Sequence, residues 1–133
     1  MNIGKAAELS GLTIKAVRYY ANIGLIVPSR NTNTGYRNYS EKDVNKLIFI
    51  GKARKFDFSI KDCRSLLFLY EDNFRTSRAV KEITDNKLKE IDERLVLLKS
   101  LREELFLLSS TCNGDERSDC PIIKNLSDNT NNA

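Results

Sequence analysis

The chain contains no histidine and no tryptophan, one methionine, two prolines, six glycines and three cysteines in 133 residues. Without histidine, no Ser-His-Asp or Cys-His nucleophile and no imidazole-held metal can be assembled within it. Three cysteines fall short of a four-cysteine zinc site, and a Cys2His2 site lacks its histidines. An odd cysteine count with no secretion leader argues against a disulfide framework. No apolar run reaches the roughly 18 residues of a membrane span, and no basic stretch leads into an apolar leader. The expectation is a cytoplasmic protein with no membrane partner, and not an enzyme. At about 100–200 residues per domain, the length allows one folded domain plus an extension.

What is present is unevenly distributed. The net charge of +4 hides a basic front, residues 1–69, with 12 Lys+Arg against 5 Asp+Glu. Residues 70–133 carry 10 against 13. A basic front points to an anionic partner, nucleic acid first.

The front reads as a mostly helical domain. A short helix from Ile3 to Leu9 closes at Ser10-Gly11, and Thr13 caps a second from Ile14 to Ile23 that Gly24 ends. Two short helices around a tight turn form a helix-turn-helix. Leu25 to Tyr39 follows as a wing: an apolar arm at Leu25-Ile26-Val27, a polar loop from Ser29 to Thr34, and a return arm from Gly35 to Tyr39. Ser40 caps a helix to about Lys55, with Val44, Leu47 and Ile48 as its apolar stripe. Ser59 caps the next, with Ile60, Cys63, Leu66, Leu67 and Tyr70 on one face, until Asp72-Asn73 breaks it. Cys63 on that face reads as a small core hydrophobe.

On the second helix, Lys15, Arg18, Tyr19 and Asn22 lie three and four apart and share a face, while Ile14 and Val17 turn to the core. Such a face suits a major groove, where Arg reads guanine edges and Lys and Tyr hold phosphates. Arg37, between Tyr36 and Tyr39, gives the wing a second set of phosphate contacts. A solvated basic face with tyrosines packing the domain's edge is the plainer alternative.

From Ser77 to Ser109 one long helix is expected. Leu88, Ile91, Leu95, Leu98, Leu101 and Leu105 recur at steps of three and four, a coiled-coil seam that a second copy would cover. Folding back on its own domain is the other reading. Beyond it, Cys112 and Cys120 bracket a polar loop, with Pro121-Ile122-Ile123 as apolar cover. Two soft sulfurs without histidine suit a monovalent ion such as copper(I). A redox disulfide, or two inert cysteines, remain open on residues alone. The tail from Ser127 to Ala133 is Asn-rich and reads as disordered.

These segments resemble the MerR family of bacterial transcription regulators, and within it the copper efflux (CueR-type) regulators, over residues 1–126. The resemblance rests on Ile3-Gly4-Lys5-Ala6-Ala7, Leu12-Thr13, Ala16-Val17-Arg18-Tyr19-Tyr20, Gly24-Leu25 and Gly35-Tyr36-Arg37-Asn38-Tyr39. It extends to Cys112 and to Asp119-Cys120-Pro121-Ile122-Ile123. It implies a winged helix-turn-helix over 1–70, a dimerisation region with a long antiparallel coiled-coil helix over 71–110, and a metal-binding loop with a short helix over 111–126. By the same resemblance Lys15 and Arg18 are recognition-helix contacts, Tyr20 a DNA-backbone contact, Tyr36, Arg37 and Tyr39 wing contacts, and Arg54 a second-wing contact. Cys112 and Cys120 become the thiolates for one copper(I), or silver(I) or gold(I), per loop. Ser77 stands where divalent-metal sensors of the family carry cysteine. The implied partners are a second copy, a palindromic operator in promoter DNA, and RNA polymerase. Asp57 departs from the family pattern, standing where relatives usually have glycine.

Overall fold

A short polar side chain takes up an orphan backbone N–H at the head of each of the first five helices. Asn2 caps α1 (Ile3–Ser10), Thr13 caps α2 (Ile14–Asn22) and Ser59 caps α4 (Ile60–Glu71), each accepting from the N–H three residues on. Ser40 and Asp43 form a reciprocal capping box at the start of α3 (Glu41–Lys55). Thr76 accepts from Ala79 N at the head of α5 (Ser77–Thr111). The computed structural model describes residues 1–128, and α6 (Pro121–Ser127) is the last helix among them.

Between α2 and α3 lies the wing, a two-stranded antiparallel sheet of β1 (Ser29–Arg30) and β2 (Arg37–Asn38), with Ser29 opposite Asn38 and Arg30 opposite Arg37. The ladder is shorter and later than the expected arms. Leu25 and Ile26 are buried at 8% and 1% exposure and anchor the wing's base in the core instead of pairing. Ser29 and Arg30, expected in the loop, form the strand.

The chain divides into two compact units, Met1–Lys87 and Leu88–Ala133. In the first, Val17, Leu47, Ile50 and Cys63 are fully buried, and Val80 and Ile83 from the early turns of α5 pack against that core. This unit therefore takes in turns that the sequence reading assigns to the dimerisation region. Cys63 is a core residue, as its face implies. Two neighbours depart from expectation. Ile14, in the first turn of α2 and expected to face the core, is 45% exposed. Tyr70 is 47% exposed, with one ring face against Phe49 at 4.8 Å.

The second unit holds the rest of α5, the cysteine loop and α6. Ser127 closes α6 and Asp128 caps it, so helix replaces the expected disorder there. The remainder of that tail, 129–133, lies outside the described residues. Among the described residues no helix is long and apolar enough to cross a membrane.

Candidate nucleic-acid interface and thiol loop

Val17, with no exposed surface, pins α2 to the core and turns Lys15, Arg18 and Tyr19 outward, all exposed. In the wing, Asn31 organises the loop. Its side-chain oxygen accepts from Asn33 N and Thr34 N, and its carbonyl accepts from Gly35 N at 2.8 Å. Gly35 takes φ +72°, the left-handed geometry that lets this turn close. Tyr36 beside it is 78% exposed. Arg30 donates to Gly35 O at 3.0 Å, and Arg37 Nη2 donates to Asn22 Oδ1 at 2.7 Å, tying β2 to the last residue of α2.

These elements border a cavity of about 450 Å³ lined by Arg18, Arg30, Arg37, Tyr36 and Tyr39, with Asn2, Ile3 and Gly35. Three guanidinium groups around one recess suit a phosphate. Tyr39 lines it at 1% exposure, and among the described residues its buried hydroxyl meets no partner within hydrogen-bond geometry. Burial pushes its pKa up, while the Arg37 guanidinium pulls the other way.

Behind α3, the turn Lys55-Phe56-Asp57-Phe58 brings α4 back along it. Asp57 adopts φ +67°, so it does what a glycine would do there. Aspartate is among the few residues that visit this region at modest cost. Arg54 Nη1 donates to Phe58 O at 2.7 Å and braces the turn.

In the second unit, Cys112 leaves α5 with its N–H bonded to Ser109 O, and Gly114 turns the chain at φ +63°. Asp115 accepts from Arg117 N and Arg117 Nε, stiffening the loop's far side. Cys120 is the N-cap residue of α6 with Pro121 at the first turn. The two Sγ atoms lie 3.5 Å apart as free thiols, each half-buried. The backbone N–H of Ile123 lowers the Cys120 pKa, helped by the Cys112 thiol and the N–H of Ile122, and opposed by Asp119. The expected apolar cover is partial: Pro121 and Ile122 are half-buried, but the Ile123 side chain is 65% exposed.

The donor set fits one soft ion, because two sulfurs at this distance can share it. Among the described residues no group of three His, Cys, Asp or Glu side chains gathers to hold a metal.

Residues 1–68 match the family described as MerR HTH family regulatory protein, and residues 44–106 match MerR, DNA binding. The chain belongs to the MerR family. It is 50% identical over 128 residues to the HTH-type transcriptional regulator HmrR of Rhizobium leguminosarum bv. viciae, covering 96% of this chain and 98% of that one. It is 41% identical over 127 residues to the HTH-type transcriptional regulator CueR of Salmonella typhimurium, covering 96% and 92%. Among solved structures it is similar to the dual function regulator MerR of Bacillus megaterium MB1 in complex with mercury(II), at 27% identity and a TM-score of 0.67, over 96% of this chain and 100% of that one. The protein is thus a DNA-binding transcription regulator, and not an enzyme.

On this MerR-family surface the structure gathers Arg18, Tyr36 and Arg37 around one recess, with Lys15 and Tyr19 exposed on the same helix. Tyr39 and Tyr20 need correcting as surface contacts. At 1% and 8% exposure both rings belong to the buried core, and Tyr39 meets the recess from within it. Arg54 is exposed, though one of its N–H groups is committed to its own turn. Ser77 stands at the first turn of α5, in the first unit, while the cysteines lie in the second. The sequence reading missed Arg30 as a lining residue. Its place opposite Arg37 becomes visible only when the two-residue register is known.

Proposed function

We propose that this MerR-family regulator senses a monovalent soft metal ion, copper(I) first, through Cys112 and Cys120, and answers by distorting promoter DNA. The reading is carried by two free sulfurs 3.5 Å apart at the head of α6, in a chain whose front is a DNA-binding domain. Soft thiolates favour copper(I), and silver(I) and gold(I) share its chemistry. Two thiolates around a monovalent ion keep one negative charge, which N–H groups at a helix end offset. The similarity to a regulator named CueR supports the choice of ion, and the mercury(II) complex of the Bacillus relative supports soft-metal binding on this fold.

The protein acts as a homodimer on a palindromic operator in the cytoplasm. α5 runs 35 residues from Ser77, about 52 Å of helix at 1.5 Å per residue. Antiparallel pairing of two such helices sets the Ser77 end of one copy beside the Cys112 end of the other. A serine there supplies no third sulfur, so divalent ions find too few ligands. Lys15, Arg18 and Tyr19 enter the major groove, Tyr36 and Arg37 hold the backbone from the wing, and Arg54 approaches it as a second-wing contact. Tyr20 and Tyr39 support these contacts from beneath. Metal binding favours the dimer state that bends and untwists the DNA, so that RNA polymerase engages both promoter elements.

The test is titration of reduced protein with copper(I) against a competing chelator, scored by promoter transcription and by X-ray absorption. Two sulfurs per ion are expected, with activation by copper(I) or silver(I) but not Zn2+. Cys112→Ser or Cys120→Ser removes induction and leaves operator binding intact. Three or four ligands, or full activation by Zn2+, overturns the two-thiolate site. Activation of metal-free protein by a thiol oxidant would instead make the same pair a redox switch. A small copper carrier whose basic face is incidental is a third reading, and the match to MerR, DNA binding over residues 44–106 speaks against it.

A further inference from the structure

We infer that Asn22 is a positioning residue: it aims Arg37 so that the wing and the recognition helix meet DNA as one body. The inference deepens the DNA-binding reading above and rests on it. Asn22 is the last residue of α2, and Arg37 opens β2, fifteen residues later. Between them runs the wing, whose strand ladder has two residue pairs, with the Arg30 and Asn31 bonds beyond it and Leu25 and Ile26 buried at its base. So short a ladder fixes the wing's position weakly. The 2.7 Å bond from Arg37 Nη2 to Asn22 Oδ1 supplies a cross-tie at its base.

The chemistry of the acceptor matters as much as its place. An amide oxygen orients a guanidinium without cancelling its charge, and an arginine has five N–H donors, so four remain for phosphate. A carboxylate at the same place would hold Arg37 as firmly but neutralise it. Arg37 lines the recess with Arg18 and Arg30, where the positive charge is needed. Asn22 itself does not line that recess, which separates its role from that of a direct contact.

The experiment uses the full chain and a duplex selected by the wild-type protein from a randomised pool. Binding is measured over a range of salt for wild type, Asn22→Ala, Asn22→Asp, Arg37→Ala and the double Ala variant. Asn22→Ala is expected to weaken binding about three- to tenfold with an unchanged salt slope, because no phosphate contact is removed. Arg37→Ala should lower the slope by about one. In the Arg37→Ala background, Asn22→Ala should cost nothing further. Asn22→Asp, which keeps the acceptor but adds a charge, should bind more weakly than Asn22→Ala and with a reduced slope. Equal losses from Asn22→Ala in both backgrounds would overturn the inference, as would wild-type affinity in Asn22→Asp. Failure of the wild-type protein to select any duplex would instead overturn the DNA-binding reading beneath it.

Discussion

Cys63 and Cys120 are the same side chain in opposite surroundings. Cys63 has no exposed surface, and burial pushes its thiol pKa up, against a smaller pull from Arg54. Cys120 lies at a helix start, where the Ile123 N–H lowers its pKa. A lowered pKa puts the thiolate, the form that binds metal and attacks alkylating agents, in play at a lower pH. Alkylation of Cys120, followed by mass spectrometry across pH, should therefore show its midpoint below that of the same residue in denatured protein. Cys63 should stay unmodified until the domain unfolds. A Cys120 midpoint that does not move on denaturation would show that the amides of α6 do nothing for the sulfur. The sequence already separates these cysteines, one on an apolar helical face and one beside a proline. It does not reveal which atoms tune the second, because backbone amides leave no mark on residue identity.

At the scale of elements, the turn between α3 and α4 is held by Asp57 at φ +67° and by the Arg54 bond to Phe58 O. A β-branched side chain at such a φ costs about 1–2 kcal/mol. Asp57→Val should lower the unfolding free energy by about that amount in urea denaturation, while Asp57→Gly should be tolerated. Equal stability of the valine variant would mean that the turn has a second conformation. Helix starts such as Thr13, Ser40 and Ser59 were legible in the sequence because capping is local chemistry within three residues. The wing was legible as a hairpin but not in extent, because tertiary burial claims Leu25 and Ile26. Tyr39 shows the same limit at the candidate site. A tyrosine between basic residues looks like a phosphate contact, and only packing reveals that it lies beneath the surface.

The whole molecule is shaped by what α5 leaves uncovered. Leu88, Leu95, Leu98, Leu101 and Leu105 are 44–61% exposed, so among the described residues these seam leucines lie uncovered. Lys87 is the only residue of this helix counted as buried. Isolated exposed leucines are ordinary, but a row at coiled-coil spacing is a surface that gains by pairing. The protein should therefore sediment as a dimer at micromolar concentration. Leu95→Glu with Leu98→Glu places four carboxylates in the paired seam, where each would be desolvated without a partner. That variant should sediment as a monomer and lose high-affinity binding to a palindromic duplex. Its winged domain remains folded, because Leu47, Ile50 and Cys63 bury its core without help from residues 95 and 98. Binding to a half-site should thus persist at the wild-type monomer's level. Copper(I) should no longer change transcription, since the proposed response needs two copies joined through α5. A variant that stayed dimeric would move the interface off this seam. A monomer that still answered copper(I) would place the response within a single chain.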